Sequence, residues 1–183
     1  MTATASSSSG TDLRATRPGP EEDAPYYGTS IGKVADGDVV ATMRRQIGET
    51  LAMLRTIPEA RGGHRYAEGK WSIREVIGHM SDSERIFAYR ALRFARGDQT
   101  ALPGFDENVF VAGSRFDERT IASILSEFEA VRAATVALFD SLTPEEWTRH
   151  GTASGKGMSV RGVAWVIAGH ELHHRGVLKE RYL

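Results

Sequence analysis

The chain is 183 residues long, enough for one domain with a sizeable core, and it contains no cysteine. Disulfides, cysteine-based zinc sites and a cysteine nucleophile are therefore excluded, and any metal must be held by nitrogen and oxygen ligands. With 23 basic and 24 acidic residues the formal net charge is −1, so no basic excess points to nucleic acid or to an anionic membrane.

No apolar run approaches the roughly 18 residues that a membrane span needs. The opening stretch MTATASSSSGTDLRATRPGPEED lacks the charged and apolar regions of a secretory signal. These features predict a soluble cytoplasmic protein. Residues 1–30 read as a flexible tail, poor in apolar side chains. Residues 31–183 read as the folded domain.

A first helix is predicted from residue 38, where Val39, Val40, Met43, Ile47, Leu51 and Leu54 recur at three- and four-residue steps. Pro58 closes it. A second opens at WSIREV, with Ser72 as N-cap and Glu75 completing a capping box. Its apolar stripe is Ile73, Val76, Ile77, Met80, Phe87 and Ala91. RGDQTALPGFDENVFVAG is then a long connection, of a length often tied to function.

The third helix is predicted over DERTIASILSEFEAVRAATVALFDSL. Thr143, Pro144 and Glu146 mark a short helix after it. GTASGKGM reads as a loop, and a last helix starts at Ser159. Four long amphipathic segments without an alternating strand predict an all-α, four-helix bundle.

The last helix carries His170 and His174. Four residues apart, they lie about 40° apart in azimuth and one turn apart, so both rings reach one cation. The competing reading is two semi-buried histidines satisfied by hydrogen bonds. His64 and His150 fall in loops, and His173 points off the inward face.

HELHH also satisfies the zinc-protease pattern H-E-x-x-H. The extension of that pattern needs Gly at 177 and His at 180, where the chain has Val177 and Glu180. The match therefore reads as accidental, and a third ligand must come from upstream. His79, at the edge of the second helix's stripe, is the best candidate. Taken alone it reads as structural; beside the pair it completes a three-histidine set.

At KWSIREVIGHMSDSERIFAYRALRFARGD, LPGFDENVFV and HELHH the chain resembles the DinB-like superfamily of metal-binding four-helix bundles, in its YfiT-type branch. The resemblance covers most of residues 38–183. It implies metal ligands at His79, His170 and His174, zinc or nickel as the metal, and a homodimer. It also implies either a thiol S-transferase using a low-molecular-weight thiol cosubstrate such as bacillithiol or mycothiol, or a metal-dependent hydrolase that activates water. A non-catalytic metal-binding bundle is the third reading.

Three neutral ligands leave a divalent cation its full charge and an open position, which marks catalytic rather than structural sites. Glu171 is a candidate proton acceptor, with an ion-paired structural role as the alternative. Asp106, Glu107 and Asn108, in the long loop that could lie over the metal, are candidate substrate contacts, with a solvated turn as the alternative; Asp106 and Asn108 are preferred. Asp82 and Glu84 read as supporting or surface carboxylates. Arg85, Arg90, Arg93 and Arg96 read as a solvated face balanced by acids, with the alternative that one of them binds a carboxylate of the thiol cosubstrate.

Overall fold

The structure is a computed structural model that describes residues 12–22 and 27–183. Four long helices dominate: α2 (Val39–Leu54), α3 (Ile73–Ala95), α5 (Ile121–Asp140) and α7 (Val160–Arg181). Short helices α1 (Gly28–Ile31), α4 (Glu107–Ala112) and α6 (Pro144–Thr148) decorate them. A two-stranded hairpin, β1 (His150–Ala153) and β2 (Lys156–Ser159), precedes α7. Among the described residues no helix is long and apolar enough to cross a membrane.

Local sequence sets the helix starts. The Ser72 and Thr143 capping boxes form as the sequence predicts, and the Ser159 hydroxyl caps α7 by accepting from Gly162 N at 2.8 Å. Asp38 caps α2, accepting from Val40 N at 2.7 Å and Ala41 N at 3.0 Å. Thr120 caps α5, so that helix begins after a separate 3-10 turn at Phe116–Glu118 rather than at residue 117.

Helix α3 packs on α5 and α7, and α2 packs on the same two. The order around the bundle is thus α2–α5–α3–α7, which places α2 and α3, consecutive long helices in the chain, across the bundle from each other.

The apolar core falls into two clusters. One is built on Met43, Phe94, Phe139 and Trp165, the other on Ile77, Met80, Phe128 and Leu178. Between them every long helix changes character. Gln46 and Thr50 interrupt the stripe of α2, His79, Ser83 and Glu84 that of α3, Arg132 and Thr135 that of α5, and His170, Glu171 and His174 that of α7. A polar layer therefore crosses the middle of the bundle. Burying polar groups without partners costs several kcal/mol, so a layer like this must be either internally satisfied or functional.

Three predicted loops or tails are more structured than expected. GTASGKGM forms most of the hairpin, whose turn has Ser154 at φ 54° and Gly155 at φ 72°. Both values fit the primed two-residue turn that matches strand twist. The 96–113 connection contains α4, and its Leu102 pairs with the hairpin through Leu102 N to Thr152 O (2.9 Å) and Ser154 N to Leu102 O (3.0 Å).

The third case is the N-terminal segment. Residues 12–22 lie on the bundle, with Arg17 donating to Ile31 O at 2.9 Å and Val34 O at 2.8 Å, and Glu22 ion-paired with Arg161. Two glycines of α7 permit this close approach. A Cβ at Gly162 would stand 2.1 Å from Glu22 O, and one at Gly169 2.3 Å from Ser30 O. The rest of the tail read over 1–30, residues 1–11 and 23–26, lies outside the described residues.

Candidate metal centre

The α3 and α7 sides of the polar layer bring His79, His170 and His174 together. One ligand nitrogen from each lies within 4.8 Å of the others. Nε2 of His170 is 3.2 Å from Nε2 of His79 and 3.0 Å from Nε2 of His174. Four-coordinate zinc with nitrogen bonds of about 2.0–2.1 Å implies ligand spacings of roughly 3.3 Å, close to those two distances.

The donor chemistry fits a cation as well as the spacing does. A neutral imidazole nitrogen is either a donor or an acceptor. Three Nε2 atoms turned toward one another cannot all be paired by N–H···N bonds. A shared cation satisfies three lone pairs at once.

The rings are also held neutral. Burial, together with the charge of His173, pushes His79 down to about 4. Burial, then His79 and His173, pushes His170 down to about 3. His174 lies well below the ordinary histidine value for the same reasons, burial first and then its three neighbours.

Aromatic contacts fix the ring planes. Trp71 tilts against His79 with centroids 4.7 Å apart, and Phe87 meets His170 edge-on at 5.9 Å. The Ser83 hydroxyl stands 3.4 Å from Nδ1 and 3.5 Å from Nε2 of His79.

The cluster forms the floor of a cleft of about 800 Å³. Its walls include Ser30, Trp71, Phe87, Phe105, Glu107 and Ser154, with His173 also lining it. The long connection and the hairpin turn, tied together by the Leu102 pairing, thus supply one side of the site. A volume of this order suits a small-molecule ligand.

The sequence profile of the DinB superfamily matches residues 42–178. The chain belongs to the DinB superfamily. A protein of Oceanobacillus iheyensis named "Putative metal-dependent hydrolase" is 26% identical over 142 residues, spanning 76% of this chain and 79% of its own. Among solved structures, this DinB chain is similar in fold to YfiT from Bacillus subtilis, described as "a probable metal-dependent hydrolase with an unusual four-helix bundle topology". The TM-score is 0.65 at 15% identity, covering 92% of this chain and 94% of YfiT. A mycothiol-dependent maleylpyruvate isomerase shares the fold at TM-score 0.65 and 14% identity, covering 80% of this chain and 61% of that one.

The other sequence candidates fall differently. Glu171 is buried, and both its oxygens are engaged: Oε1 accepts from Thr50 Oγ1 at 2.5 Å and Oε2 from Arg132 at 2.6 Å. It is absent from the cleft lining. Its carboxylate thus takes the ion-paired arrangement that the sequence offers as the alternative to a proton acceptor. Asp106 is the N-cap of α4, accepting from Asn108 N at 2.8 Å, and neither Asp106 nor Asn108 lines the cleft.

Phe105 and Glu107 line the cleft, because the backbone at Asp106 is extended (φ −102°, ψ 114°) and successive side chains of an extended chain point to opposite sides. His173, read as pointing away, reaches the rim and meets His174 edge-on at 4.9 Å. Trp71 and Ser154 carried no signal of their own in the sequence.

Proposed function

We propose that the chain is a metal-dependent enzyme that transfers a low-molecular-weight thiol to an electrophilic small molecule in the cleft above His79, His170 and His174. The observation that carries this reading is the convergence of three neutral imidazole nitrogens beneath a cleft far larger than a water molecule. A divalent cation held there, zinc or nickel, supplies Lewis acidity and lowers the pKa of an O–H or S–H group brought to it.

The chain's own residues complete the site. Trp71 and Phe87 hold the imidazole rings and keep water from their faces. Phe105 offers an apolar wall against which an electrophile can lie. Glu107 is the one carboxylate among the described lining residues, and it takes the proton-acceptor role. The thiol proton passes to its carboxylate, sulfur forms the new bond to carbon, and the leaving group departs with its electron pair. The absence of cysteine from the chain leaves no internal thiol to compete.

A thiol-independent hydrolase is the second reading, favoured by the name of the Oceanobacillus relative. The homodimer belongs to the same proposed reading, and its test is the mass of the purified protein in solution.

The test loads the full chain with zinc or nickel and assays a panel of cellular thiols with a bimane-type electrophile. Turnover that requires thiol and metal, lost in His170→Ala together with the bound metal, is the expected result. No turnover with any thiol overturns the transferase reading. Ester or amide cleavage without thiol would establish the hydrolase in its place.

A further inference from the structure

Two arginine side chains of this molecule are almost completely buried, and they differ in one respect. Arg132, 1% exposed, is clamped by two carboxylates, Glu84 and Glu171. Arg90, 2% exposed, has no carboxylate within 4.0 Å among the described residues. Its hydrogen bonds both leave Nη2, to Pro103 O at 3.2 Å and Ser154 Oγ at 3.0 Å. Nε and Nη1 have no protein acceptor among the described residues. Neither atom is fully buried, so both keep a small contact with solvent, and a cation so nearly desolvated gains from a counter-charge brought to it.

The position of this charge says what would neutralise it. Its guanidinium carbon lies 5.7 Å from the Phe87 ring centre and 5.8 Å from that of Phe105. Phe87, Phe105 and Ser154 all line the cleft above the histidines. Arg90 is not itself a lining residue: the cation, held by two neutral oxygens and two ring faces but by no described carboxylate, stands behind the wall formed by Phe87 and Phe105, where an anion entering the cleft is attracted.

We propose that Arg90 is the anion anchor of this cleft, and that the small molecule bound there carries a carboxylate. Ser154, held in the left-handed turn of the hairpin, positions the guanidinium from one side. This deepens the proposed function by naming a substrate class for the same cleft, and it rests on that reading only for the identity of the cleft as the reaction site.

The experiment titrates the full chain, zinc-loaded and in parallel in chelator, with benzoate and with its neutral isostere benzamide. Binding is read by calorimetry and by Trp fluorescence. Benzoate is expected to bind roughly tenfold or more tighter than benzamide in both conditions, the size of a charge-assisted hydrogen bond. Arg90→Met is expected to bring the two affinities together, and Arg90→Lys to keep part of the preference.

Equal affinities in the parent chain, or a preference that survives in Arg90→Met, overturn the proposal. The parent-chain comparison decides the matter even where the variant folds poorly. Zinc content, measured on the same samples, reports on the metal reading separately. Benzoate preference without zinc binding upholds Arg90 and removes the metal centre. Zinc binding without benzoate preference does the reverse.

Discussion

The polar layer that crosses this bundle has two halves, and they are built on opposite principles. In the closed half, Arg132 gives Nε and Nη2 to Glu84 at 2.8 Å each, and Nη1 to Glu171 and to Met43 O at 3.1 Å. Thr50 adds a hydrogen bond to Glu171. Every charged group there has a partner, and residues from all four long helices meet at one guanidinium. In the open half, three imidazoles turn their Nε2 atoms toward one another beneath a cleft and leave part of their hydrogen-bonding capacity unspent. Polar groups that satisfy one another lock helices together. Polar groups that converge without satisfying one another are placed for something that comes from outside.

The largest expected effect comes from opening the closed half. Arg132→Ala leaves two carboxylates buried side by side, and unfolding by urea should show a loss of about 3–5 kcal/mol. His170→Ala in the open half should cost far less stability while abolishing stoichiometric metal. Equal losses of stability from the two would erase the distinction between the halves.

Acid should act on the open half next. In the metal-free protein His79 titrates at about 4, against an ordinary value of 6.5. Above pH 6.5 neither the folded nor the unfolded chain is protonated there. Between 6.5 and about 4 the unfolded chain takes up protons that the folded chain refuses, so stability falls as pH falls. At about 1.4 kcal/mol per unit, His79 alone contributes a loss of about 3 kcal/mol across that window. Denaturation midpoints measured from pH 7.5 to 4 check this. His79→Ala should flatten the curve.

A smaller effect is expected where the N-terminal segment meets α7. Gly169→Ala drives a methyl into Ser30 O, and overpacking of this kind costs about 1–3 kcal/mol. It should also raise proteolytic nicking before residue 31. The smallest concerns Asp106. As a helix cap its replacement by Ala should cost about 1 kcal/mol or less and leave metal binding intact. A selective rise in KM in the loaded enzyme would restore the substrate contact that the geometry denies it.

Much of the fold was legible in local chemistry. Ser72, Thr143 and Ser159 announce their helices because a cap is satisfied within three or four residues, and four apolar stripes at helical spacing demand mutual burial. The polar layer was not read from the sequence, because a gap in one apolar stripe, as on α3 between Met80 and Phe87, does not say what the other three helices bring to the same level. What stayed hidden were the hairpin at Ser154-Gly155, too short for alternation to show, and the docking of the N-terminal segment, which depends on bare backbone at Gly162 against Glu22 and at Gly169 against Ser30 rather than on any apolar signal. At α4 the group Asp106, Glu107 and Asn108 was legible, but which of the three reaches the cleft was not, because the local backbone that points Glu107 inward is set by the Asp106 cap.

By itself the sequence determined what depends on neighbours along the chain: helix starts, stripes, and two histidines four residues apart on one face. Only the tertiary structure decided what depends on neighbours in space. Arg90 and Arg132 are the same residue type on helices with similar stripes, yet one is neutralised by two glutamates and the other meets two neutral oxygens and no described carboxylate. That difference is a matter of which helix packs against which. Coulomb energy falls with spatial distance, and spacing along the chain does not report it across a bundle.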